Sequence, residues 1–93
     1  MDTNSESTLG QDLPDSEVVS KVRSFVIRSL ARHVSDTEEF LTSGMVSSLF
    51  GMQLIAFIEK SFDCVVTDQD LILDNFTSIA NISRFASQKK ARQ

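Results

Sequence analysis

The 93-residue chain has no tryptophan and no tyrosine, and it has only one cysteine, one proline and three glycines. The single cysteine, Cys64, excludes an internal disulfide. No apolar run is long enough to cross a membrane, and the N-terminus lacks the basic-then-apolar pattern of a targeting signal. These absences predict a soluble cytoplasmic protein that does not bind a membrane.

The length allows one small domain with a single core. Residues 1–13 are polar and lack an apolar period, which predicts a disordered tail. Residues 14–87 form the predicted domain, whose core is supplied by leucine, isoleucine, valine and seven phenylalanines. Residues 88–93 are predicted to be a basic C-terminal tail.

Charge is distributed unevenly along the chain, which has a formal net charge of −4. Residues 36–74 contain eight acids and one base, Lys60, while the other bases lie toward the two ends. Such a segment repels nucleic-acid phosphates and attracts basic proteins, so a helix-turn-helix DNA-binding protein is disfavoured. For any single acid, a solvated surface position is the simpler interpretation.

Apolar residues at spacings of three and four predict a first helix from Asp15 to Val34. A polar loop follows from Ser35 to Val46, and we expect its Phe40 and Leu41 to contact the core. Loops of this length are often functional.

A second helix is predicted to start at a capping serine, Ser47 or Ser48, and to end near Phe62. Its apolar stripe consists of Leu49, Met52, Ile55, Ile58 and Phe62, and Leu54 and Phe57 widen it, so the helix is apolar on more than one side. Leu49 and Met52 fit either the core or a partner-facing edge, whereas Phe50 lies off the stripe and is predicted to face a partner.

Two further helical segments are predicted after the second helix. Residues 68–71 form one short turn capped by Thr67 or Asp68, and a last helix starts within residues 74–78. Phe76, Ile79, Ile82 and Phe85 form its apolar stripe. The predicted fold is therefore an all-α, four-helix bundle with three main helices and one short helix.

Several segments together resemble the acyl carrier protein family. Gly44-Met45-Val46-Ser47-Ser48-Leu49 resembles the family signature Gly-x-x-Asp-Ser-Leu. Residues 57–62, 66–71 and 75–82 resemble the end of the family's second helix, its Ile-x-x-x-Asp-Leu segment and the start of its last helix. The segments occur in family order from about Ser16 to Ser87, and the family's four-helix layout matches the predicted one.

The resemblance implies a function without catalysis of its own. Ser48 would carry 4′-phosphopantetheine, whose thiol holds an acyl group as a thioester. The partners would be a phosphopantetheinyl transferase and acyl-loading and acyl-processing enzymes, which contact a monomeric carrier at Leu49, Phe50, Met52 and Gln53. Ser47 replaces the family's aspartate, so a hydroxyl stands in place of a charge. Ser48-Leu49-Phe50 with Gln53-Leu54 is similar to carriers of oxygenated malonyl or glyceryl units in polyketide-type biosynthesis.

One alternative function uses the same helix. The apolar second helix would bind a partner non-covalently, as a helical adaptor, and the serines would serve only as caps. The sequence offers no catalytic constellation and no set of metal ligands. His33 has no second histidine beside it and fits a helix-end cation, and Cys64 fits a small core residue.

Overall fold

The computed structural model of the protein describes residues 15–42 and 48–91. Its three α-helices are α1, Ser16–Leu30, α2, Leu49–Phe62, and α3, Ile79–Ala91. No β-strand occurs within the described ranges. The prediction of a small all-α bundle is therefore confirmed. The predicted tail of residues 1–13 lies outside the described residues.

One residue determines where helix α1 begins, and another determines where it ends. The Asp15 carboxylate accepts a hydrogen bond of 2.8 Å from the Glu17 backbone N–H and caps the first turn. The helix ends at Leu30 because Ala31 adopts a left-handed conformation with φ 57°. The predicted continuation to Val34 is wrong: the chain turns at Ala31, and the Val34 side chain returns to the core.

Helix α2 has the predicted length, but only part of its predicted apolar surface faces the core. Its buried residues are Gly51, Leu54, Ile58 and Phe62. They recur at spacings of three and four, as expected for one face of an α-helix. The helix ends where Asp63 takes a left-handed conformation with φ 52°, and its N–H bonds to the Glu59 carbonyl.

The short helix predicted between α2 and α3 is not an α-helix. Two single 3₁₀ turns, Asp68–Asp70 and Leu73–Asn75, occupy this connection. Thr67 and Asp70 cap the first turn reciprocally, since the Asp70 carboxylate accepts from the Thr67 N–H at 2.9 Å. Each of these segments is only three residues long, which is too short for the i to i−4 hydrogen bonds of a stable α-helix.

Helix α3 starts later and ends later than predicted. Ser78 caps it by accepting a bond of 3.1 Å from the Asn81 N–H, so residues 74–78 precede the helix. The predicted stripe of Phe76, Ile79, Ile82 and Phe85 is buried. The helix continues to Ala91, so the predicted start of the basic tail at residue 88 falls inside α3.

Contacts at both ends of α1 show that α1 and α3 run antiparallel. At the start of α1, the Asp15 N–H donates to the Ser87 hydroxyl at 3.1 Å. Beyond its end, the Asp36 carbonyl accepts from the Ala80 N–H at 2.8 Å. The loop between α1 and α2 is thereby attached to the beginning of α3.

The predicted burial of Phe40 and Leu41 is confirmed, and a backbone contact explains it. Both N–H groups donate to the Thr77 carbonyl, at 2.9 Å for Phe40 and 3.3 Å for Leu41. The core that these residues join is formed by valines of α1, aliphatic residues of α2 and phenylalanine and isoleucine residues around α3.

Two buried serines of the α3 region provide a test of this core. The Ser83 hydroxyl is fully buried and finds no hydrogen-bond partner among the described residues, whereas the Ser78 hydroxyl caps the helix. We expect Ser83→Ala to raise the free energy of unfolding by about 1 kcal/mol, since an unpaired buried hydroxyl is costly. Ser78→Ala should lower it by about 1 kcal/mol through loss of the cap. Urea unfolding followed by circular dichroism measures both changes.

Ser20→Ala is the control, because Ser20 is an exposed serine within α1. It reports the gain that alanine brings to any helix, about 0.5 kcal/mol. A Ser83→Ala gain no larger than the Ser20→Ala gain would mean that burial of the unpaired hydroxyl has no measurable cost.

Candidate functional site

Ser48 lies at the N-cap of α2, at the junction between the loop and the helix. Its backbone is extended, with φ −85° and ψ 174°, and its carbonyl accepts the Met52 N–H at 3.1 Å. The side chain is half-buried and makes no capping hydrogen bond to the first turn. Ser48 therefore occupies the predicted N-cap position, but its side chain does not make the capping hydrogen bond. Ser47, the other predicted cap, lies outside the described residues together with Gly44, Met45 and Val46.

The first turn of α2 presents two large apolar side chains to solvent. Leu49 is 68% exposed and Met52 is 64% exposed, and Gln53 beside them is exposed as well. The sequence left Leu49 and Met52 open between the core and an exposed edge, and both are exposed because the buried face passes through Gly51 and Leu54. At about 100° per residue, Leu49 and Gln53 lie on the opposite side of the helix from Gly51.

Phe50, which the sequence predicts to face a partner, belongs to an aromatic cluster. Its half-buried ring lies 6.2 Å from the Phe25 ring of α1 and 6.2 Å, edge-on, from the Phe40 ring of the loop. Phe25 also stacks on Phe57 with 4.4 Å between ring centroids. Offset stacked and edge-on contacts of this kind are favourable beyond the area they bury. Phe50 therefore fixes the start of α2 against α1 and the loop.

Ion pairs neutralise part of the acidic segment near this site. Arg23 donates two hydrogen bonds to Asp36, at 2.9 and 2.7 Å, in a bidentate pair. Arg32 bonds to Glu38 at 2.8 Å. The hydrogen bonds from Arg23 and Arg32 lower the pKa of Asp36 and of Glu38 below their ordinary values. The charges of Asp36 and Glu38 are thus compensated by Arg23 and Arg32.

A third pair ties the connection after α2 to the last helix. The Lys89 ammonium lies 2.8 Å from an Asp70 carboxylate oxygen, and both side chains are mostly buried. Hydrogen bonds from Lys89 and then from the Thr67 N–H lower the pKa of Asp70. Bases from outside the acidic segment therefore offset part of its negative charge. Its exposed acids without an ion pair to any described residue are Glu39, Asp63, Asp68 and Asp74.

Cys64 is buried, whereas His33 is exposed. Burial raises the pKa of the Cys64 thiol, whose sulfur lies 3.8 Å from the Ile58 carbonyl, so the predicted core position is confirmed. His33 is exposed in the loop rather than at the end of α1.

Within residues 15–42 and 48–91, no three histidine, cysteine or carboxylate side chains group as metal ligands. None of the helices in these ranges has the length and apolarity needed to span a bilayer.

Two contacts of the fold were not predicted from the sequence, although one of them has a sequence signal. Phe50 was assigned to the surface because it lies off the apolar stripe, although its spacing of seven from Phe57 would have placed both on one side of the helix. The Lys89–Asp70 pair joins residues 19 positions apart, and no local pattern predicts such a pair.

Comparisons with protein-family models, with curated proteins and with solved structures give no significant match to this chain.

Alanine substitutions test which face of α2 is buried. We expect Leu49→Ala and Met52→Ala each to change the free energy of unfolding by less than about 0.5 kcal/mol, because both side chains are mostly exposed. Leu54→Ala and Ile58→Ala remove fully buried side chains and should each cost about 2–5 kcal/mol. Urea unfolding measures all four. Equal losses for Leu49→Ala and Leu54→Ala would contradict the orientation of the helix.

Proposed function

We propose that this chain is an acyl carrier protein whose Ser48 carries 4′-phosphopantetheine, for polyketide-type or related biosynthesis. The observation that supports this most is the arrangement at the start of α2. A serine at the N-cap is followed at once by the exposed apolar side chains of Leu49 and Met52. The segments that resemble the family on either side of α2 support the same function.

The start of α2 suits a covalently attached phosphodiester. The first backbone N–H groups of an α-helix lack partners within the helix, and the helix dipole favours negative charge at that end. The first turn of α2 contains no acidic residue that would repel the phosphate. In such a transfer the modifying enzyme supplies coenzyme A, Mg²⁺ and the base, so the carrier contributes only the serine hydroxyl.

The partner enzymes would contact the exposed face that follows Ser48. Leu49 and Met52 provide apolar contact, and Gln53 offers a hydrogen-bonding amide on the same side of α2. Methionine suits a surface that meets several partners, because its side chain is flexible and polarizable. Phe50 would act indirectly, since its ring packs against Phe25 and Phe40.

The cargo that we propose is a small oxygenated unit, such as a malonyl-type or glyceryl group. Aromatic rings are already packed between α1 and α2, where Phe25 contacts Phe57, and further ring contacts join Phe57 to Phe62 and Phe76 to Phe85. A long chain would have to displace these close-packed rings, which costs free energy. A short polar acyl group gains little from burial and leaves its thioester accessible to enzymes.

A non-covalent adaptor is the second candidate, and the exposed pair Leu49 and Met52 favours it equally. The adaptor needs no modification of Ser48. Covalent loading of the serine therefore separates the two functions.

Ser48→Ala should abolish modification. The chain is incubated with coenzyme A and a promiscuous phosphopantetheinyl transferase, and intact-protein mass spectrometry measures the phosphopantetheine increment. Ser47→Ala is the matched control: it removes the neighbouring hydroxyl and should retain the increment. An increment on Ser48→Ala would contradict the assignment to Ser48, and a wild-type chain that stays unmodified would favour the adaptor.

Acyl groups of two lengths test the proposed cargo. The pantetheinylated chain is loaded with malonyl or with octanoyl, and thermal unfolding and amide chemical shifts are compared with the unacylated form. We expect neither acyl group to raise the melting temperature or to shift the amides of core residues such as Leu54 and Ile58. Clear stabilisation by octanoyl, with shifts in the core, would mean that the helices open for long chains.

A further inference from the structure

We propose that Leu71 and Ile72, flanked by Asp68 and Asp74, form a second interaction surface for a protein segment with an apolar anchor between lysine or arginine residues. These four residues are called the 68–74 patch below. They lie in the connection between α2 and α3, and all four are exposed. This inference does not depend on the modification of Ser48.

The backbone of the patch is held in place by hydrogen bonds. Leu71 has φ −80° and ψ 62°, and the Ile72 N–H bonds to the Asp70 carbonyl at 2.8 Å, which is the geometry of an inverse γ-turn. The same carbonyl accepts the Asn75 side-chain amide at 2.8 Å. The Asp70 carboxylate, in turn, binds Thr67 and Lys89. The tight turn therefore keeps Leu71 and Ile72 out of the core although Leu73 beside them packs against it.

This rigidity distinguishes the pair from an ordinary exposed apolar residue. Single apolar residues are common on protein surfaces and need no explanation. Here two adjacent aliphatic side chains, 42% and 55% exposed, sit on a turn with both ends fixed. A partner that binds them meets a surface already in its bound shape, which reduces the entropy lost on binding.

The charges around the pair determine which partner fits. The Asp68 and Asp74 carboxylates are exposed, and no ion pair joins them to another described residue. They attract basic groups and repel the phosphates of nucleic acids and of anionic lipids. A stable dimer buries about 800 Å² on each subunit, far more than two aliphatic side chains provide. The patch therefore fits a weak contact with a basic protein segment.

The probe is a synthetic amphipathic peptide of leucine and lysine, with the same peptide carrying glutamate in place of lysine as the control. The lysine peptide is titrated into the ¹⁵N-labelled full chain. We expect saturable amide shifts centred on residues 67–76, weaker binding at higher salt, and no binding of the glutamate peptide.

Matched variants then test the residues. Leu71→Ser with Ile72→Ser should weaken binding of the lysine peptide roughly tenfold, through loss of apolar contact. Val65→Ser is the control, since Val65 is 67% exposed and lies outside the patch. Asp68→Asn with Asp74→Asn should weaken binding, whereas Glu39→Gln, an exposed acid elsewhere, should not.

Three results would overturn the proposal. The first is a set of shifts centred on residues 49–53 or spread evenly over the chain. The second is equal binding by the Leu71→Ser/Ile72→Ser and Val65→Ser variants. The third is self-association in sedimentation that the Leu71→Ser/Ile72→Ser variant abolishes, because a second copy of the chain would then be the occupant.

Discussion

The Thr77 carbonyl accepts hydrogen bonds from two consecutive residues of the α1–α2 loop, Phe40 and Leu41. This contact brings a loop of irregular backbone against the start of α3 and buries two large side chains that a solvated loop would expose. The Phe40 ring then lies edge-on to Phe50, in the first turn of α2. The position of α2, and of Ser48 at its start, therefore depends on a backbone contact made almost 30 residues further along the chain.

Ion pairs also connect the loop and the helices. The bases near the two ends of the chain fold back onto the acidic middle: Arg23 and Arg32 hold the loop acids, and Lys89 holds Asp70. Exposed pairs contribute little to stability, typically under 1 kcal/mol. In the part-buried Lys89–Asp70 pair, the Asp70 carboxylate also accepts hydrogen bonds from Thr67. Among the exposed acids of the segment, Glu39, Asp63, Asp68 and Asp74 have no ion pair with a described residue. The negative charge available to a partner is thus confined to a few positions.

Local patterns predicted most of the helices but not their boundaries or orientation. The spacing of the α1 valines and the α3 isoleucines identified the buried faces of these helices correctly. In both helices the apolar residues at helical spacing are the ones that are buried. In α2 the apolar residues surround most of the helix, so several stripes fitted the sequence equally well. Only tertiary contacts at Gly51 and Leu54 select the buried one and leave Leu49 and Met52 in solvent. The end of α1 was missed because Ala31 is a good helix former, and its left-handed conformation reflects the return of Val34 to the core.

The start of α2 also determines what kind of observation can distinguish a carrier from an adaptor. Both functions need exposed apolar side chains on a firmly held helix, and Leu49 and Met52 above the Phe25–Phe50 contact meet that need for either. The strength with which a partner binds this surface therefore does not distinguish a carrier from an adaptor. The difference lies in Ser48, because only a carrier requires a covalent bond to its hydroxyl. The geometry that accommodates such a bond is local: the first turn of a helix, with its backbone N–H groups and without an acidic side chain. Whether the surface serves a carrier or an adaptor thus depends on whether the Ser48 hydroxyl oxygen forms a covalent bond, and not on the exposed apolar side chains.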